Sequence, residues 1–171
     1  RMESIDHGQP FRALVDFAHT PNALRQALLT ARTITQGRVI AVFGSAGLRD
    51  RAKRRIMAQI SVELADLTVL TAEDPRTEPL EGILAEMAAG AVAKGGEEGA
   101  TFWRIPDRGE ALEFAIRQAR PGDLVIACGK GHEQSMCFGE TEHPWDDRVA
   151  MRAALAGLLG IEGPPMPWLP T

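Results

Sequence analysis

Long apolar runs are missing from this 171-residue chain. No stretch approaches the roughly 18 residues that a membrane-crossing helix needs, and the opening Arg1-Met2-Glu3-Ser4-Ile5-Asp6 has no apolar signal core. The chain is therefore expected neither to span nor to be targeted to a membrane. Cysteine is scarce. Cys128 and Cys137 have neither metal-ligand spacing nor the density of a secreted disulfide scaffold, so a reducing, cytoplasmic setting is the default expectation. A surplus of positive charge is also lacking: 19 Lys and Arg against 23 Asp and Glu leave a net charge of −4, which argues against generic nucleic-acid binding. Position 1 is not methionine, so the chain is expected to be an excised piece or a processed product.

Several catalytic signatures are missing too. There is no phosphate loop ending in Gly-Lys-Ser/Thr, and Gly44-Ser45-Ala46-Gly47 is a glycine turn that does not fit the dinucleotide fingerprint. Any ATP chemistry must then take its main phosphate cradle from elsewhere. No persuasive Ser-His-Asp order appears, and no His or Cys pairing suggests a metal site.

What is present is an ordinary globular composition, 44% apolar and 25% charged, at a length that favours one domain. Strand and helix signals alternate, which specifies an α/β fold with a mostly parallel sheet and helices on both faces. Strands are expected at Arg12 to Asp16, Arg38 to Phe43, Asp66 to Thr71, Thr101 to Ile105 and Asp123 to Cys128, the last and most apolar being central. Helices are expected from Pro21 to about Thr33, from about Lys53 to Ala65, from near Pro79 past Ala91, from Asp107 to Arg120, and from Trp145 or Asp146 to Leu159. In the second of these, Ile56, Ile60 and Leu64 at steps of four, with Met57 alongside, are expected to face inward. Ser135 to Phe138 reads as an edge strand turning at Gly139-Glu140. Residues 1–160 form the expected domain, followed by a proline-rich tail, 161–171, expected to lie on the surface or dangle.

Four polar stretches each follow an apolar run: Asp16-Phe17-Ala18-His19, Gly44 to Asp50, Glu73-Asp74-Pro75-Arg76 and Gly129-Lys130-Gly131-His132-Glu133. In an open α/β sheet ligands bind outside the carboxyl ends of the strands, so these stretches nominate one binding rim. In the last, two glycines let backbone approach a ligand closely, while Lys130, His132 and Glu133 offer a cation, a titratable ring and an acceptor. In Glu73 to Arg76, two carboxylates and a guanidinium flank a rigid proline, a set suited to a ligand bearing both charge signs or to a capping turn with an internal ion pair. Asp16 and His19 suit a ribose and a ring contact, or a structural turn. From Arg49 to Arg55, five of seven residues are basic, which reads either as a solvated helix start or as an anion contact.

The order of these motifs resembles the carboxyl-terminal domain of the Mur ligases, most closely the MurE type. The resemblance is carried by Arg1-Met2-Glu3, Val15 to Leu24, Val42 to Arg54, Glu73-Asp74-Pro75-Arg76-Thr77-Glu78, Gly129 to Glu133 and Asp147-Arg148-Val149. It implies a Rossmann-like, six-stranded, mostly parallel sheet and a place as the third domain of an ATP-dependent amide ligase, one that joins a diamino acid to a UDP-MurNAc-dipeptide through an acyl phosphate. It further implies that the phosphate loop and Mg²⁺ belong to a central domain outside this chain, so that this piece alone is inactive. The implied partners are the amino-terminal and central domains and the UDP-linked peptide and diamino acid substrates, with neither nucleic acid nor membrane. Carried over by position, Arg1 approaches the ATP phosphates, Asp16 the ribose and His19 the nucleotide pocket, while Arg49, Asp74, Arg76, Gly129 and Glu133 surround the incoming amino acid.

Two departures stand out. Where the family usually has Asp-Asn-Pro-Arg for meso-diaminopimelate, this chain has Glu73-Asp74-Pro75-Arg76. The added negative charge points toward ornithine or lysine, while Arg76 points back toward meso-diaminopimelate, leaving the acceptor open. Phe17 stands in place of the usual tyrosine. The other readings are a cyanophycin synthetase or folylpolyglutamate synthase type of ligase, a stand-alone nucleotide-binding module, and nucleic-acid binding through Arg49 to Arg55, which would be strongly salt-dependent.

Overall fold

The computed structural model describes residues 2–171; the proposed phosphate contact Arg1 lies outside the described residues. The elements in chain order are β1 (Glu3–Ser4), β2 (Arg12–Asp16), α1 (Pro21–Ile34), β3 (Val39–Phe43), α2 (Ala52–Leu64), β4 (Leu67–Leu70), α3 (Leu80–Ala93), β5 (Phe102–Arg104), α4 (Arg108–Gln118), β6 (Leu124–Cys128), β7 (Ser135–Phe138), β8 (Thr141–Pro144) and α5 (Asp147–Leu159). Three helix starts are set by side chains that accept the otherwise unpaired backbone N–H groups of the first turn. Thr20 accepts from Ala23 ahead of Pro21, Asp107 from Glu110, and Asp146 from Arg148.

Six strands form one sheet in the order β1-β2-β6-β3-β4-β5. Strand β1 runs antiparallel to β2, and every other pairing is parallel. The interior strand β6 is buried at every residue. Side chains alternate across a strand, so Leu124, Ile126 and Cys128 pack with α1, α2 and α3 on one face, while Val125 and Ala127 pack with α4 and α5 on the other. Burial pushes the Cys128 thiol far up in pKa, which keeps it an inert apolar group. Asp16 stands opposite Cys128, Val42 opposite Ala127, and Phe43 opposite Leu70, so β2, β6, β3 and β4 end together. The loops that follow them share one rim.

The structure departs from the sequence reading in two places and decides between two alternatives in a third. Ile56 is exposed, and the buried stripe of α2 is Arg54, Met57, Ala58, Ile60 and Ser61. Arg54 takes the inward place because two carboxylates wait for its guanidinium. Strand β7 is not an edge of the main sheet; it pairs with β8 in a separate hairpin. The second half of that hairpin, Thr-Glu-His-Pro, carries no apolar alternation to announce it. Of the two expectations for the tail, it lies on the surface and does not dangle. Leu169 is buried, Met166 packs onto the same core at Gly109 of α4, and Thr171 donates its hydroxyl to Asp107.

Candidate functional site

An open cleft of about 400 Å³ lies at the shared rim. His19 comes to it from the loop after β2, Arg49 from that after β3, Asp74 and Arg76 from that after β4, and Gly129 and Glu133 from that after β6. Residues as far apart in the chain as Phe17 and Glu133 are thus brought together by parallel strands ending side by side. Asp16 does not line the cleft. It is buried at the end of β2, where its carboxylate accepts the Ala18 N–H at 2.9 Å.

The loops after β3 and β4 are stitched into one unit. Gly47 donates its N–H to the Asp74 carbonyl at 2.9 Å, and Arg76 Nη1 donates to the Gly47 carbonyl at 3.0 Å. Leu48 donates its N–H to Glu78 Oε1 at 3.0 Å, and Arg54 Nη2 reaches the Ala46 carbonyl at 3.2 Å. These contacts hold Leu48, Asp74 and Arg76 in left-handed backbone at φ of 58°, 45° and 56°, a conformation that costs a non-glycine residue on the order of 1 kcal/mol or more. Arg76 is also tied to β7: its N–H donates to the Cys137 carbonyl at 3.1 Å, and its own carbonyl accepts from Gly139 at 2.8 Å.

The basic run divides. Arg49 and Lys53 line the cleft, with Lys53 Nζ donating to the His19 carbonyl at 3.1 Å. Arg54 is fully buried and pairs with Glu78 and Glu86, while exposed Arg51 shares Glu86. The hydrogen bond from Arg54, helped by the Leu48 N–H, lowers the Glu78 pKa to about 2. The run is therefore partly an internal brace.

Asp74 is also engaged internally. One carboxylate oxygen accepts the Cys137 N–H at 2.7 Å, and the other accepts from Lys130 Nζ at 2.9 Å. Lys130 is buried and also meets Glu133 at 3.1 Å. The extra negative charge that the sequence reading directed at the ligand is thus met by Lys130, which removes the electrostatic argument for ornithine or lysine drawn from Asp74. Glu133 keeps a largely open carboxylate at the cleft, its side chain 44% exposed.

Glu73 gained no separate role from the sequence, yet it faces the cleft with 6% of its surface exposed and with Oε1 unpartnered. Gly129, at φ 113°, packs directly on that oxygen, and a Cβ there would overlap it. Loss of solvation raises the Glu73 carboxyl to about 7, against the pull of Arg108 and Lys53. In the unfolded chain the group ionises near 4.5, so between about pH 4.5 and 7 the unfolded state binds fewer protons and stability falls as pH rises. The expected loss is about 3 kcal/mol across that window. Urea unfolding of Glu73→Gln between pH 5 and 8 is expected to show that slope removed; an identical slope in the variant would contradict the assignment. Glu78 acts in a separate window with opposite sign, its contribution being lost as pH falls from about 4.5 toward 2.

Phe17, which also lines the cleft, packs near two imidazoles, its ring centroid 4.5 Å from that of His19 and 5.9 Å from that of His132. Phe17 and His132 join Met2, Glu3, Val15 and Gly131 around a smaller hollow of about 240 Å³. The glycine loop thus serves two neighbouring cavities.

The family description Mur ligase, glutamate ligase domain, matches residues 1–131. The chain belongs to the Mur ligase family. UDP-N-acetylmuramyl-tripeptide synthetase from Roseiflexus sp. (strain RS-1) is 52% identical over 158 residues, covering 92% of this chain and 31% of that protein. UDP-N-acetylmuramoyl-L-alanyl-D-glutamate--2,6-diaminopimelate ligase from Geobacillus thermodenitrificans (strain NG80-2) is 44% identical over 155 residues, covering 91% and 31%. A solved structure of a UDP-N-acetylmuramoyl-L-alanyl-D-glutamate--2,6-diaminopimelate ligase superposes with a TM-score of 0.83 at 38% identity, over 93% of this chain and 32% of that one. This chain therefore spans about a third of the length of these Mur ligases, and its fold is that of their carboxyl-terminal, Rossmann-like domain.

Proposed function

We propose that this chain supplies the acceptor-binding third of an ATP-dependent ligase that joins a diamino acid to a UDP-MurNAc-dipeptide, in a cytoplasmic step of peptidoglycan synthesis. The observation that carries the reading is the single cleft in which Arg49, Arg76 and Glu133 meet from three loops. Two guanidinium groups suit the carboxylates of an amino acid, and the open Glu133 carboxylate suits its ammonium. Gly129 and Asp74 complete the wall, Asp74 by fixing Lys130 and β7. Arg1, Asp16 and His19 are assigned to the nucleotide: phosphates, ribose and pocket wall respectively. In this reaction the γ-phosphoryl group of ATP passes to the peptide carboxylate, releasing ADP, and the acceptor amine then attacks the acyl phosphate, forming the amide and expelling inorganic phosphate.

Among the described residues no group of three or more His, Cys, Asp or Glu is placed to hold a metal ion. The sequence has no Gly-Lys-Ser/Thr loop, which supports a reading in which the companion domains hold the metal and most of the phosphate contacts. Among the described residues no helix is long and apolar enough to cross a membrane.

The test is ADP release by the full-length ligase supplied with ATP, Mg²⁺ and UDP-MurNAc-dipeptide. Release is expected to depend on meso-diaminopimelate, lysine or ornithine, and the 171-residue chain alone is expected to give none. Full-length enzyme indifferent to all three amino acids would overturn the reading.

A further inference from the structure

We propose that the buried Arg108–Asp147 pair is a positioning device that sets the separation between the loop carrying Arg76 and the loop carrying Glu133. It rests on the ligase reading above. Both side chains are fully buried at the first turns of α4 and α5. The Arg108 guanidinium grips Asp147 with two bonds, Nε to Oδ1 at 2.8 Å and Nη2 to Oδ2 at 2.7 Å. Its remaining reach goes to two backbone carbonyls, Ala72 at 3.0 Å and Cys128 at 2.9 Å. Ala72 immediately precedes Glu73 and Asp74, and Cys128 immediately precedes Gly129.

Strands β4 and β6 are not neighbours, because β3 lies between them. No ladder of backbone bonds joins them, so the spacing of their exit loops needs another support. Arg108 bridges them directly, and Asp147 is fixed in turn by the indole N–H of Trp145 at 2.8 Å. Stability alone gives a weak account of such a pair, since desolvation of two charges offsets much of their attraction, and well-packed apolar side chains often serve as well. An apolar pair could not hold two carbonyls. A lysine, with its three donors on one nitrogen, could not span the carboxylate and both carbonyls together, because only the planar guanidinium presents a carboxylate-matching fork with further N–H groups in fixed directions. The positive charge of Arg108 also stands beside Glu73, where it opposes the effect of burial on that carboxyl.

The test compares wild-type and Arg108→Lys full-length ligase by KM for each substrate and by thermal midpoint. Loss of the carbonyl bridge is expected to raise the acceptor KM about tenfold or more, since small misplacements of binding groups carry large penalties. The KM values for ATP and the UDP-linked dipeptide are expected to stay within about twofold, as their contacts come from elsewhere. Asp147→Asn keeps a partner for Trp145 and much of the shape, and is expected to show the same pattern more weakly. A lowered thermal midpoint with an unchanged acceptor KM, or an equal rise in all three KM values, would overturn the proposal, and so would failure of both variants to fold. Wild-type enzyme that ignores every diamino acid would instead defeat the ligase reading on which the proposal stands.

Discussion

Gly47→Ala is expected to raise the acceptor KM of the full-length ligase about hundredfold. A Cβ at position 47 would overlap the Pro75 carbonyl, which is backbone and cannot swing aside as a side-chain end can. Relief requires the β3 and β4 loops to part. Parting them breaks both the Gly47 bond to the Asp74 carbonyl and the Arg76 bond to the Gly47 carbonyl. Arg49 and Arg76 would then be displaced relative to each other, and a shift of about 1 Å in a positioned group can cost on the order of a hundredfold. The sheet and both cores lie behind these loops, so the variant is expected to fold, and ATP affinity is expected to change little. Steady-state kinetics with varied acceptor measures this; an acceptor KM within about twofold of wild type would show that the two loops do not form the amino-acid subsite.

Arg76→Ala is expected to raise the acceptor KM between about tenfold and a hundredfold while leaving kcat near wild type. Arg76 is half-buried at the cleft with one nitrogen on the Gly47 carbonyl. A charge-assisted hydrogen bond to a ligand carboxylate is worth about 1.5–3 kcal/mol. The left-handed backbone at 76 costs alanine about as much as arginine, so strain does not confuse the comparison. Lysine at this position is expected to restore little, because a point charge lacks the fork. An unchanged KM would remove Arg76 from the site. A fall in kcat with KM unchanged would place it at the reacting atoms instead.

The layout of the fold was legible because it rests on local periodicity. Strand β2 occupies the residues that its pattern marks, Arg12–Asp16, and β6 is interior as its unbroken apolar run requires. The convergence of His19, Arg49, Arg76 and Glu133 followed from parallel strands ending at one rim. Partner identity over long range was not legible. Nothing near Asp74 announces that Lys130, 56 positions on, will meet its charge. Arg54 reads as one more surface cation until Glu78 and Glu86 arrive from another loop and helix. Arg108 is hidden by its neighbours, since Asp107 and Glu110 mark a helix start and leave the arginine looking solvent-facing. The docking of the tail rests on a few scattered side chains, Met166, Leu169 and Thr171, in a stretch whose prolines speak only against helix.

A structure of the full-length ligase with its UDP-MurNAc-tripeptide product and ADP tests the central claim most directly. The third residue of the product is expected in the cleft at the ends of β3, β4 and β6, with its carboxylate on Arg49 or Arg76 and its free ammonium within hydrogen-bond distance of Glu133. A product whose third residue lies away from these three side chains would contradict the claim that this rim is where the acceptor amino acid is held.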